Sequence, residues 1–222
     1  MKIIVTGANG MVGKGVLLEA LDQEDVQEVL SIARRKTGLS HPKLKELIHA
    51  DFSEFKSVED ELKGYDACFA CMGVSAAGMN EEQYSKLTFD YTIALAKTFK
   101  ELNPNACFTY VSGVVTDSSE KGRQMWARVK GKTENELLAL GFKSASMFRP
   151  GMIIPMRGVK SSTKLYQFMY DYFMWLVHLM KRLSPSSVVN TDQIGQAMLE
   201  VARGKDAPKI LHSKDILAHA KA

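Results

Sequence analysis

The sequence is short of cysteine, of charge of one sign and of unbroken apolar runs, and each shortage closes off a class of protein. Its three cysteines, Cys68, Cys71 and Cys107, are an odd number and fall within apolar runs. Cys68 and Cys71 have C-x-x-C spacing, but they lie in a predicted strand, where residues three apart face opposite sides. Buried thiols are therefore expected, in preference to a redox or metal site. The formal charge is only +4, and no basic run is long enough for a nucleic-acid footprint. No charged segment followed by an apolar signal core precedes the first predicted strand, so the expected location is the cytoplasm. The aromatic- and Met-rich stretch from Leu165 to Leu183 is interrupted by Asp171, His178, Lys181 and Arg182, which argues against a membrane span. There is no internal repeat, low-complexity tract or linker. With 222 residues, 45% hydrophobic and 24% charged, the chain is expected to form one soluble domain over residues 1–222.

What is present begins at the first residues. Ile3, Ile4 and Val5 form an apolar run suited to a strand buried on both faces. Gly7, Gly10 and Gly13 follow at three-residue intervals, and Val12, Val16, Leu17, Ala20 and Leu21 then recur at helical spacing. Strand, glycine turn and helix in this order bind a dinucleotide. Gly7 allows the sharp turn, Gly10 a close approach of backbone to pyrophosphate, and Gly13 close packing of helix on strand. Asn9, Met11 and Val12 share this turn, where the helix N-terminus presents free N–H groups to phosphate.

One further absence bears on the cofactor. No Asp or Glu lies between Val29 and Lys36, where an NAD-selective site carries an acid for the ribose 2′-hydroxyl. The second predicted strand, Val29 to Ala33, ends instead in Arg34-Arg35-Lys36. A guanidinium is shaped to grip a 2′-phosphate, so NADP is favoured over NAD, with Arg34 the main contact and Arg35 beside it. The alternative is a solvated basic turn.

Further strands are expected at Glu46–Ala50, Asp66–Cys71, Cys107–Ser112 and Ser144–Phe148. Helices are expected around Ser57–Leu62, over Glu81–Leu102, over Trp126–Leu140 and over Asp192–Ala202, with a short edge strand at Lys209–Leu211. Ser57 with Asp60, and Asn80 with Gln83, have capping-box spacing, and Gly141 stands at a helix C-cap. Asp51 and Phe52, after the third strand, would border the adenine, although Asp51 suits a helix cap equally well. Met72, Gly73 and Val74 follow the fourth strand, where a glycine lets a ribose approach. The alternation predicts an α/β fold, a doubly wound parallel sheet. Residues 155–190 would form a helical cap on the substrate side.

Several of these features together resemble the extended and atypical short-chain dehydrogenase/reductases, the NAD-dependent epimerase/dehydratase-like branch. They are Thr6-Gly7-x-x-Gly10-x-x-Gly13, Arg34, Asp51, Met72-Gly73, Tyr110-Val111-Ser112, Lys130-Gly131-Lys132-Thr133-Glu134 and Arg149-Pro150-Gly151. The resemblance implies a Rossmann sheet of order 3-2-1-4-5-6-7, bound NAD(P), a variable C-terminal substrate pocket and often a homodimer. It extends the cofactor-binding set to Pro150, Gly151, Met152 and Ile153. The family's catalytic set is Ser with Tyr-x-x-x-Lys. Ser112 and Lys130 match, but Trp126 stands where the Tyr belongs. An indole N–H donates a hydrogen bond but is no proton acid or base near neutral pH. Either catalysis is lost or the acid has moved, for example to Tyr166 or Tyr170. The expected function is an NADP-dependent oxidoreductase or epimerase-like enzyme acting on a small carbonyl or hydroxyl substrate. The alternative is an NADP-binding sensor or interaction module on a retired scaffold.

Overall fold

The structure, a computed structural model, describes residues 1–159 and 185–220. The expected cap helix over Leu165–Leu183, with Tyr166 and Tyr170, lies outside the described residues. The strands β1 (Lys2–Thr6), β2 (Glu28–Ala33), β3 (Leu44–Ile48), β4 (Ala67–Ala70), β5 (Cys107–Val111) and β6 (Ser144–Arg149) join Ile210–His212 in one sheet. Its order is β3-β2-β1-β4-β5-β6 followed by Ile210–His212, and every pairing is parallel. This is the doubly wound Rossmann sheet, with the chain's last strand in the seventh place.

The apolar runs form strands because both faces of the sheet are covered. Ile3, Val5 and Phe69 point into one core with α1 (Met11–Asp22), while Ile4, Cys68 and Phe108 point into the other with Phe99. The same alternation places Cys68 and Cys71 in opposite cores, and burial pushes the Cys71 and Cys107 thiols up to about 12. Such thiols stay protonated and unreactive.

Between β4 and β5 the expected single helix is present in three pieces. They are α2 (Glu81–Ser85), a π-helical turn (Lys86–Asp90) and α3 (Tyr91–Leu102). Tyr84, Thr88 and Thr92 are all buried at steps of four residues, wider than the 3.6 of an α-helix. A widened turn keeps all three facing inward. The Asn80–Gln83 capping box forms as expected. The Ser57–Asp60 box does not: Lys56–Leu62 is a 3-10 segment whose Ser57 faces Glu54 while Asp60 pairs with Lys63. The third strand lies two residues earlier than expected, because its register with β2 runs from Val29↔Leu44 to Ala33↔Ile48 and ends with β2.

After β5 come α4 (Met125–Ala139) and then Gly141, at φ +68 and in the expected cap position. Beyond β6 the chain makes a second, two-stranded parallel sheet of β7 (Met152–Ile154) and β8 (Val188–Asn190). Helix α5 (Thr191–Ala202) then packs on α1, β9 (Ile210–His212) takes the sheet edge, and α6 (Ser213–Ala220) follows. At the α1–α5 contact, Arg157 reaches Glu19, Asp22 and Asp192 at 2.7, 2.5 and 3.0 Å. No helix among the described residues is long and apolar enough to cross a membrane.

Candidate functional site

The site is built where β1 turns into α1. Gly7 sits at φ +74, and a Cβ there would lie 2.5 Å from the Cys71 carbonyl oxygen. Any side chain at Gly7 is therefore excluded twice, by conformation and by contact. A Cβ on Gly13 would lie 2.2 Å from the Gly7 oxygen, so Gly13 lets the helix close on the turn itself. Gly10 is the α1 N-cap and brings no side-chain cap. Its N–H donates to the Gly7 carbonyl at 2.8 Å. The N–H groups of Met11, Val12 and Gly13 lack intrahelical acceptors by position and are left to meet an anion.

The basic turn after β2 is held beside this cradle. Asn9 Nδ2 donates to the Arg35 carbonyl at 2.9 Å. Arg34, Arg35 and Lys36 are exposed, and none forms an ion pair among the described residues. Asp51 is also exposed, and the Ser53 hydroxyl and amide hold its carboxyl below the usual range. It makes a local turn and does not cap a longer helix. Phe52 is 4% exposed and packs with His49, Phe55 and Tyr91. Its ring belongs to the core and leaves only its edge near the surface.

On the strand neighbouring β1, Gly73 and Val74 are exposed after β4 while Met72 packs against the core. A Cβ on Gly73 would meet open space. Lys130, on α4, donates from Nζ to the Ser112 carbonyl at 2.6 Å. Burial lowers its pKa to about 8, partly offset by the nearby Glu134 carboxylate. Trp126 is half-buried one turn earlier, on the same helix face as Lys130. Pro150 is buried, and Gly151 donates its N–H to Ser213 Oγ at 2.9 Å. Met152 and Ile153 enter β7.

The Ser112 side chain departs from the expectation that it would polarise a substrate carbonyl. Ser112 is 7% exposed, and its hydroxyl donates to the Glu134 carboxylate, with the Phe148 carbonyl 3.2 Å away. Glu134 is in turn paired with Arg149, whose Nε lies 3.0 and 3.1 Å from the two carboxylate oxygens. The strand's alternation turns Ser112 inward, so its hydroxyl organises the core and only its carbonyl faces Lys130. Sequence reasoning missed Glu134 and Arg149 as a unit. Their signal was a pair of charges on otherwise apolar faces, at buried positions where charges persist only when paired.

The residues fit a dinucleotide: a side-chain-free turn, unpaired N–H groups at a helix start, uncommitted arginines at one end and an ammonium at the other. The comparisons agree. Residues 3–128 match the model of the NAD dependent epimerase/dehydratase family. A curated relative, mitochondrial protein FMP52 of Eremothecium gossypii, is 28% identical over 100% of this chain and 98% of its own length. A short-chain dehydrogenase/reductase-family oxidoreductase from Burkholderia thailandensis superposes with a TM-score of 0.72 at 14% identity, covering 98% of this chain and 92% of its own. The Bordetella bronchiseptica enzyme WbmF, solved with NAD+, superposes at 0.69 with 12% identity, covering 99% and 76%. The structures share the Rossmann fold. The expected cytoplasmic location is corrected by the curated relatives matched over nearly the whole chain, which are named as mitochondrial proteins.

Proposed function

Because the chain belongs to the NAD dependent epimerase/dehydratase family, we propose that it binds NADP(H) along the sheet's C-terminal edge and serves as an oxidoreductase on a small carbonyl or hydroxyl substrate, with an altered proton donor. The observation that carries this reading is the glycine turn, which a Cβ at Gly7 or Gly13 would fill. Gly10, Met11, Val12 and Gly13 would hold the pyrophosphate, Arg34 the 2′-phosphate and Lys130 the nicotinamide ribose. When bound, the nicotinamide supplies or accepts a hydride. Trp126 can orient a substrate oxygen through its N–H but cannot exchange a proton with it. Burial lowers the pKa of Lys130, one turn away, to about 8, so it can hold and release a proton at Nζ. By the names of its relatives, a mitochondrial location goes with this reading.

Two experiments test the cofactor assignment. Arg34→Ala should cost about 1.5–3 kcal/mol of NADPH affinity, the range for a hydrogen bond to a charged group, and leave NADH nearly unchanged. Calorimetric titration with both cofactors reads this directly, and equal affinities in the parent would sink the NADP preference. The second experiment uses pH. Burial lowers Lys130 to about 8, so the ammonium is present below that pH and lost above it. NADPH affinity should therefore weaken from pH 7 to 9.5 in the parent and stay level in Lys130→Met. Parallel pH profiles for the two proteins would remove Lys130 from the ribose site.

A second reading is favoured by one pair of observations. Trp126 replaces the acid, and the Ser112 hydroxyl is committed to Glu134. A chain that binds NADP(H) without turning over would then act as a sensor or interaction module on the same cradle.

A further inference from the structure

The exposed apolar side chains of this protein are not scattered. Among the described residues, the exposed large hydrophobics are Ile48, Val74, Val114, Val115 and Met156, at 48%, 38%, 52%, 58% and 39% exposure. Ile48 is the last residue of β3, Val74 follows β4, Val114 and Val115 follow β5, and Met156 follows β7. All the main-sheet members thus lie at the C-terminal ends of parallel strands, the edge where an open α/β sheet binds ligands. Singly scattered surface hydrophobics need no explanation, but their collection at one functional edge does.

The loops that carry them are also free of charge. From Met72 to Asn80 and from Ser112 to Thr116 no residue is ionisable. These two loops follow neighbouring strands, and the Val114 N–H donates to the Pro150 carbonyl at 3.1 Å, which ties the second loop to the start of the β7 segment. Their polar side chains are few. Ser75 Oγ accepts from the Ala77 N–H at 3.3 Å, and Asn80 is spent on its helix cap. Thr116 Oγ1 is buried without a hydrogen-bond partner among the described residues. That hydroxyl is closed off from solvent, so the two loops offer few side-chain partners to a sugar or nucleotide, whose many hydroxyls each need one once they leave water.

We infer that the substrate side of this edge takes an apolar carbonyl compound, an alkyl or aryl ketone or aldehyde, with its hydrocarbon part against Val74, Val114 and Val115. The inference rests on the reading of this edge as an oxidoreductase site, and it narrows the substrate class to carbonyl compounds with a hydrocarbon body and few other polar groups. In such a site each added methylene leaves water for valine side chains. Affinity should then rise about threefold to fourfold for each methylene buried.

The test is a calorimetric titration of straight-chain 2-ketones from 2-pentanone to 2-nonanone, into the full chain with and without NADP+. The expected result is a stepwise fall in Kd of threefold to fourfold per methylene, with 2-nonanone binding more tightly than UDP-glucose or UDP-galactose. The double variant Val114→Asn, Val115→Asn should flatten the gradient to less than twofold per methylene. Both side chains are exposed, so its melting temperature and NADP+ affinity should match the parent's. A flat series in the parent, tighter binding of a UDP-hexose, or an unchanged gradient in the variant would overturn the inference. Loss of the gradient with NADP+ binding intact refutes the apolar site alone. Absence of NADP+ binding with the gradient intact refutes the oxidoreductase reading and leaves the apolar site standing.

Discussion

Replacing Trp126 by Tyr is expected to raise NADPH-dependent carbonyl reduction by about 100- to 10,000-fold, the usual contribution of a positioned general acid. Trp126 lies one helical turn before Lys130, so a tyrosine there would share the face from which the Lys130 ammonium reaches the Ser112 carbonyl. A phenol beside an ammonium releases its proton more easily, because the positive charge favours the phenolate. The half-buried position of Trp126 leaves room for the smaller ring, and the exchange removes no hydrogen bond that the core depends on. The measurement is NADPH oxidation across aldehydes, ketones and quinones for parent and variant. A rise above a measurable parent activity supports an oxidoreductase with a weak proton donor, whereas activity in the variant and none in the parent supports a retired scaffold. Strong parent activity that falls in Trp126→Tyr, and falls further in Lys130→Met, supports Lys130 as the proton donor. Equal activity in parent and variant would show that position 126 does not reach the substrate.

The second large effect is on stability. Glu134→Gln should destabilise the fold by about 3–5 kcal/mol, the cost of leaving one member of a buried ion pair uncompensated. The carboxylate is fully buried and receives the Arg149 guanidinium and the Ser112 hydroxyl together. Gln keeps the shape, so the loss reports charge and not a cavity. Urea unfolding reads it as a lower midpoint at unchanged slope. The double variant Glu134→Leu, Arg149→Leu should recover much of the loss, because it removes both charges. A single variant as stable as the parent would show that the pair is solvated and that Arg149 finds water. The site should register the same change. The Glu134 charge raises the Lys130 pKa, so Glu134→Gln should move the falling limb of NADPH affinity to lower pH.

The sequence by itself determined the parts of this protein that depend on neighbours along the chain. Ile3 to Val5 must be a two-sided core strand, and Gly7 must turn where φ is positive. Asn80 with Gln83 and Gly141 mark helix ends through hydrogen bonds and backbone angles spanning a few residues. The parallel sheet follows from alternating strands and helices, because a crossover returns to the sheet in one hand. Packing between distant segments decided the rest. Alternation turns the Ser112 side chain inward, but Glu134 lies 22 residues away and Arg149 a further 15, so their meeting has no local signature. The same holds for β7 and β8, whose pairing joins Met152 to Val188. Phe52 reads as a site residue along the chain; in space its ring also packs in the core, where Tyr91 of α3 joins its chain neighbours His49 and Phe55. Short-range sterics and hydrogen bonds are written in consecutive residues, whereas which buried groups meet is set by how whole elements fill the space on either side of the sheet.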